Sequence, residues 1–177
     1  MNLTKALLTL ALAATVVVQS QAAAPESFKV SEFNFKRPAS WEWVEVSSSM
    51  RAAQLKVPAA NGAGEVVFFY FGPGGGGGTK ANVDRWLGQF AEPRDVLKPK
   101  VDEVTVGGTK VTYVHAEGTY QSGMPGGAKT PLTNHALLGA IVEGGQGAVF
   151  IRMTAPKDLV KSSMADFKAM VESPLKK

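Results

Sequence analysis

Cysteine is missing from the 177-residue chain, which excludes disulfides, thiolate metal sites and a lipid-modified cysteine anchor. Histidine is nearly missing too: His115 and His135 are the only two, so a histidine-rich metal site is excluded. No cluster of one charge sign occurs. The 19 Lys and Arg against 15 Asp and Glu give +4, and the basic residues adjoin only at Lys36-Arg37 and Lys176-Lys177. That pattern lacks the basic stripe that holds nucleic acid. Long apolar runs are absent as well, since the longest, Ala6 to Val18 with two threonines in it, falls short of the roughly 20 residues a membrane-spanning helix needs.

What is present at the start is a short basic segment ending in Lys5, that apolar run, and the small residues Ser20-Gln21-Ala22. This is the layout of a secretory signal peptide. Pro25 disfavours cleavage after Ala24, so the expected organisation is a signal peptide over residues 1–22, a linker over 23–32 and one domain over 33–177. Export to the periplasm or beyond is expected, without an integral membrane segment after cleavage. Loss of Lys5 would bring the charge from +4 to +3.

Within the domain, Phe33-Asn34-Phe35-Lys36 alternates at period two and reads as a half-buried strand. Ala53, Leu55 and Val57 share one strand face. Val66 to Phe71 is continuously apolar and reads as a strand covered on both faces. A helix is expected over Lys80–Phe90, with Thr79 as its N-cap and Val83, Trp86, Leu87 and Phe90 as its apolar stripe. Gly107-Gly108 suits a tight hairpin turn, and counting outward pairs Val104 with Val111 and Val101 with Val114. Gln121 to Asn134 reads as a Gly/Pro-rich loop, and Ala136–Glu143 with Ala148–Thr154 as another hairpin. A second helix is expected over Lys157–Val171, started by Pro156, with Leu159, Val160, Met164, Phe167 and Val171 on one side and Lys161 and Lys168 elsewhere. The class is therefore α+β: a mainly antiparallel sheet of about six to seven strands flanked by two amphipathic helices.

The stretch FYFGPGGGGGTK, residues 69–80, invites comparison with a phosphate-binding loop. Its order is Gly78-Thr79-Lys80, whereas that loop needs lysine before the hydroxyl residue. An anion at the helix N-terminus and a flexible connection both remain open. No cofactor signature appears elsewhere. His115 and Glu117 lie two apart on one strand face, where they could seed a metal site or a base with its orienter, or simply form a polar sheet face. Asn82, Arg85 and Gln89 lie on one side of the first helix beside Trp86, as a docking strip or as internal ties to the glycine loop. A small-ligand pocket closed jointly by Pro73–Gly78 and Gln121–Asn134 is a further reading. The sequence carries no signal for oligomeric state.

The order of elements and several strings resemble the exported PsbP-like proteins, whose fold is shared with Mog-type Ran-binding proteins. The strand from Phe33 to Trp41 resembles their strand ending in Pro-x-x-Trp. Ser48–Arg51, Phe69–Gly72, Asn82–Phe90 and Leu138–Glu143 resemble strings of an uncharacterised exported bacterial family, the Asn-x-x-Arg-Trp-x-x-Gln-Phe string being the most specific. The resemblance implies an antiparallel sheet sandwiched by helices and a non-enzymatic binding or assembly role toward a protein or envelope component. The alternative is a small-ligand or metal-binding protein or a hydrolase using the His115/Glu117 face.

Overall fold

The computed structural model describes residues 24–123 and 126–176; the expected signal segment, 1–22, lies outside the described residues. Twelve elements follow in chain order: β1 (Ser27–Val30), β2 (Phe33–Lys36), β3 (Glu42–Val44), β4 (Ala53–Val57), β5 (Gly64–Tyr70), α1 (Thr79–Leu87), α2 (Arg94–Leu97), β6 (Lys100–Val106), β7 (Thr109–Ser122), β8 (Thr130–Gly144), β9 (Gly147–Pro156) and α3 (Lys157–Glu172). Seven strands form one antiparallel sheet in the order β3-β4-β5-β9-β8-β7-β6, and β1 pairs with β2 in a separate hairpin.

Short connections dictate this order. Gly107 and Gly108, at φ +56 and +84, make the left-handed turn between β6 and β7, and Val104 pairs with Val111 and Val101 with Val114 as the turn requires. Gly145-Gln146 turns β8 into β9, with Gly144 opposite Gly147. On one sheet face the β1–β2 hairpin and α3 cover a core that includes Phe28, Phe35 and Phe68. Phe68 meets both other rings nearly edge to face, with centroids 5.0 and 5.1 Å away. On the other face α1 and α2 bury Val83, Trp86, Leu87 and Leu97 with Val114, Leu137 and Ile141.

Several expectations need correction. The segment expected as a linker, 23–32, contains β1, in which Phe28 and Val30 are buried and alternate with exposed neighbours. The period-two alternation of β1 matches that of β2, equally four residues long, so the signal was present in the sequence. Arg37 fastens this segment, its backbone N–H donating to Glu26 O and its Nε to Pro25 O. The first long helix ends at Leu87 rather than Phe90, and its N-cap is Gly78 with no side-chain cap. Thr79 Oγ1 donates instead to Glu143 Oε1, 2.9 Å away. Phe90, past the helix, bridges to Tyr120.

The Gln121–Asn134 loop is also shorter than expected, because β7 runs to Ser122 and β8 starts at Thr130. A bulge between Gly118 and Tyr120 shifts the alternation there and hides the strand signal. Glu92 fastens the bulge by accepting the Thr119 N–H at 2.9 Å. Its carboxylate lies 2.6 Å from where a Gly118 Cβ would sit. Pro131 is tolerated because β9 pairs with β8 only from His135 onward, leaving β8 one neighbour at that end.

Trp86 lies against Gly139 so closely that a Cβ there would stand 2.3 Å from the indole. Gly139→Ala is expected to cost about 1–3 kcal/mol through overpacking, read as a lower urea midpoint and altered Trp fluorescence. Gly78, at φ −73 with open space around its would-be Cβ, supplies the control: Gly78→Ala should stay within about 0.5 kcal/mol of wild type.

Candidate functional site: the cleft between α3 and β6–β7

Helical spacing places Lys157, Lys161, Met164 and Lys168 along one side of α3, while Val160, Phe167 and Val171 enter the core. The helix packs chiefly over β8, β9 and β2, and on the same face of β7 and β6 the stretch around His115, Glu117, Lys100 and Asp102 stays open beside it. A cleft of about 1020 Å³ results, with the α3 stripe as one wall, Leu138 and Phe167 at its floor, and the two outer strands as the other wall. Strand register sets Lys100 opposite His115 and Asp102 opposite Tyr113. Met164, expected among the core residues, is 40% exposed on the cleft side.

His115 and Glu117 both line the cleft, with Nε2 3.3 Å from Oε1. Burial depresses the His115 pKa, Glu117 opposes that shift and Lys100 adds to it, leaving a net lowering. The imidazole is therefore neutral at pH 7. Among the described residues, no three His, Cys, Asp or Glu side chains are grouped to hold a metal ion.

Tyr113 reaches from the cleft toward the C-terminal end of α3, where its hydroxyl donates to Glu172 Oε1 at 3.2 Å. Burial, with the Glu172 charge beside it, pushes the phenol pKa up. Glu172 itself is only 7% exposed and meets Lys176 at 2.6 Å and Lys168 at 3.8 Å. Burial would raise its pKa, but hydrogen bonds from Lys176 and Tyr113 and both lysine charges outweigh it and hold the carboxyl below its ordinary value.

The other expected residues lie on the opposite sheet face and do not join His115 and Glu117. Asn82 is fully buried; its Nδ2 donates to Gly76 O at 2.8 Å, Gly78 O at 3.0 Å and Gly77 O at 3.3 Å. Its Oδ1 accepts from Arg85, which remains exposed. Gln89 Oε1 accepts from the Tyr120 hydroxyl at 3.1 Å and from Arg152 at 2.9 Å. Trp86 is 3% exposed. Carbonyls, not amides, thus converge on Asn82, and the glycine turn is a pinned connection. The jointly closed pocket also fails: Gly72 abuts Gly147 at one end of β8, whereas Ser122 pairs with Thr130 at the other, roughly 45 Å away along the strand at about 3.3 Å per residue.

Sequence reading missed the α3 stripe and its strand partners Lys100 and Asp102, although the i, i+4, i+7, i+11 spacing of Lys157, Lys161, Met164 and Lys168 was there to be found. The closed end of the cleft yields a test. Because the folded pKa of Glu172 lies below its ordinary value near 4.5, its stabilisation is present above that value and is lost as pH falls through the folded pKa. Glu172→Gln is expected to lose about 1–3 kcal/mol at pH 7. Urea melts from pH 7 to 3 should show the gap to wild type closing below about pH 4.5.

No protein-family model and no curated protein matches the chain. Among solved structures, the solution structure of cyanobacterial PsbP (CyanoP) from Synechocystis sp. PCC 6803 is similar, with a TM-score of 0.50 and 8% identity, over 89% of this chain and 96% of that one. At such identity the likeness concerns the fold, and the α+β architecture expected from the sequence is PsbP-like.

Proposed function

We propose that the chain is an exported, non-enzymatic binding module that assembles with a protein or envelope component through the cleft between α3 and β6–β7. One observation carries the reading: a helix wall of lysines around a 40% exposed methionine stands open beside an edge strand exposed from Lys100 to Thr105. Apolar surface ringed by charge is the composition of a recognition surface. Lys157, Lys161 and Lys100 form no ion pair within the described residues, so their charges are free to meet a partner. His115 and Glu117 act here as polar contacts of the cleft wall.

The fold likeness supports a binding role by analogy, and the similarity of Asn82–Phe90 to exported bacterial proteins supports export, as does the basic and apolar start of the chain. Among the described residues no helix is long and apolar enough to cross a membrane.

A photo-crosslinker at position 164, applied in the native envelope, is expected to give discrete adducts that fall at least about fivefold in the Lys157→Glu/Lys161→Glu/Lys168→Glu variant. A crosslinker at position 96, exposed on α2 across the molecule, provides the background. Adducts at 164 no stronger than at 96, or unchanged by the triple substitution, would overturn the reading.

A further inference from the structure

Beyond the cleft, we infer a second recognition site on the opposite sheet face, beside α1, whose occupant is a segment of a protein partner presenting a carboxylate next to an aromatic side chain. A closed circuit of contacts defines it. Arg85 donates to Asn82 and Asn82 to Gly76 O, and Gly76 lies so close to Phe71 that a Cβ on it would stand 2.8 Å from the ring. Phe71 stacks on Phe69, with centroids 6.4 Å apart and planes within 12°. The Arg152 guanidinium sits over Phe69, 5.9 Å from its centroid, and donates to Gln89. Gln89 follows the end of α1, about one turn beyond Arg85, which closes the circuit. Two guanidinium groups and two aromatic rings thus border one patch.

The first observation is charge. Among the described residues neither Arg85 nor Arg152 forms an ion pair, and each bonds the neutral amide oxygen of a side chain. The carboxylates around the patch are engaged elsewhere: Glu65 by Arg51 at 2.6 Å, Asp84 by Lys80 at 2.7 Å and Arg94 at 2.6 Å, and Glu143 by Thr79 at 2.9 Å. An arginine fork matches a carboxylate in two parallel bonds. An incoming carboxylate therefore competes only with amide oxygens.

The second observation is the aromatic surface. Phe71 is 42% exposed although Phe69 and Phe150 flank it. A partner ring laid on Phe71 extends the stack, and the carboxylate beside that ring is directed to the guanidinium over Phe69. Shape selects the kind of partner. Arg152 is only partly exposed, held between Phe69 of β5 and Gln89. A side-chain carboxylate enters such a recess, whereas a flat lipid surface meets Phe71 and Arg85 alone.

The test titrates the full chain, purified after export, with the acetylated and amidated peptide Glu-Phe-Glu-Phe at about 50 mM salt, followed by NMR. Shifts are expected at the Arg85 and Arg152 side chains and at Phe71. Gln-Phe-Gln-Phe and Glu-Ala-Glu-Ala should each bind at least about fivefold more weakly. Arg85→Gln and Phe71→Ser, both at exposed positions, should weaken Glu-Phe-Glu-Phe to the same degree, and so should Arg152→Lys, which keeps the charge but loses the fork. The Lys157→Glu/Lys161→Glu/Lys168→Glu variant should bind it as wild type does, which separates this site from the cleft. Absence of binding, indifference to ring or carboxylate or to all three single substitutions, or loss in the α3 variant would overturn the inference. So would capture by phosphatidylglycerol vesicles without discrimination among the peptides, which would make the patch a membrane contact. None of these outcomes bears on the position-164 adducts, so the two surfaces stand or fall separately.

Discussion

Burial of β8 on both faces is the constraint from which the remaining architecture follows. Seven consecutive residues, Ala136 to Val142, are shielded from water, so something must cover each side of the strand. Beneath α3, Ala136, Leu138, Ala140 and Val142 join one core; beneath α1, Leu137 and Ile141 join the other. Gly139 is the point of closest approach, where the lack of a side chain admits the Trp86 ring. Having been drawn to the middle of the sheet, neither long helix extends over β6. The exposed edge and the cleft are what two helices leave uncovered on a seven-stranded sheet.

Those parts of the fold that depend on local periodicity were legible in the sequence. The β6–β7 register followed from Gly107-Gly108 alone, and the buried stripe Val83, Trp86, Leu87 followed from helical spacing. Parts decided by distant partners were not. Thr79 looks like a cap until Glu143, far along the chain, takes its hydroxyl. The strand beyond Gly118 was obscured by a bulge whose stabilising carboxylate, Glu92, belongs to the connection after α1. Strand β1 carries the same four-residue alternation as β2, and its pairing with β2 is what separates it from a linker.

The candidate site shows the same division more sharply. His115 and Glu117 could be picked out because two strand residues suffice to define the pair. The wall facing them comes from α3, more than one hairpin later, and no local pattern says which side of that helix meets which strand. Conversely, the strip of Asn82, Trp86 and Gln89 is conspicuous as a string, yet tertiary packing turns most of it inward. Asn82 spends its amide on three glycine carbonyls, so this member of the strip is an internal tie that holds the glycine turn in place.

One junction governs how the cleft behaves mechanically. Pro156 is both the final residue of β9 and the N-cap of α3, so strand passes into helix with no intervening loop. At the other end Ser173 Oγ accepts the Lys36 N–H at 2.8 Å, tying the helix terminus to the β1–β2 hairpin. Helix α3 therefore lacks a hinge at its start and is moored at its finish. That junction and that mooring leave α3 little conformational entropy to lose when the cleft takes an occupant.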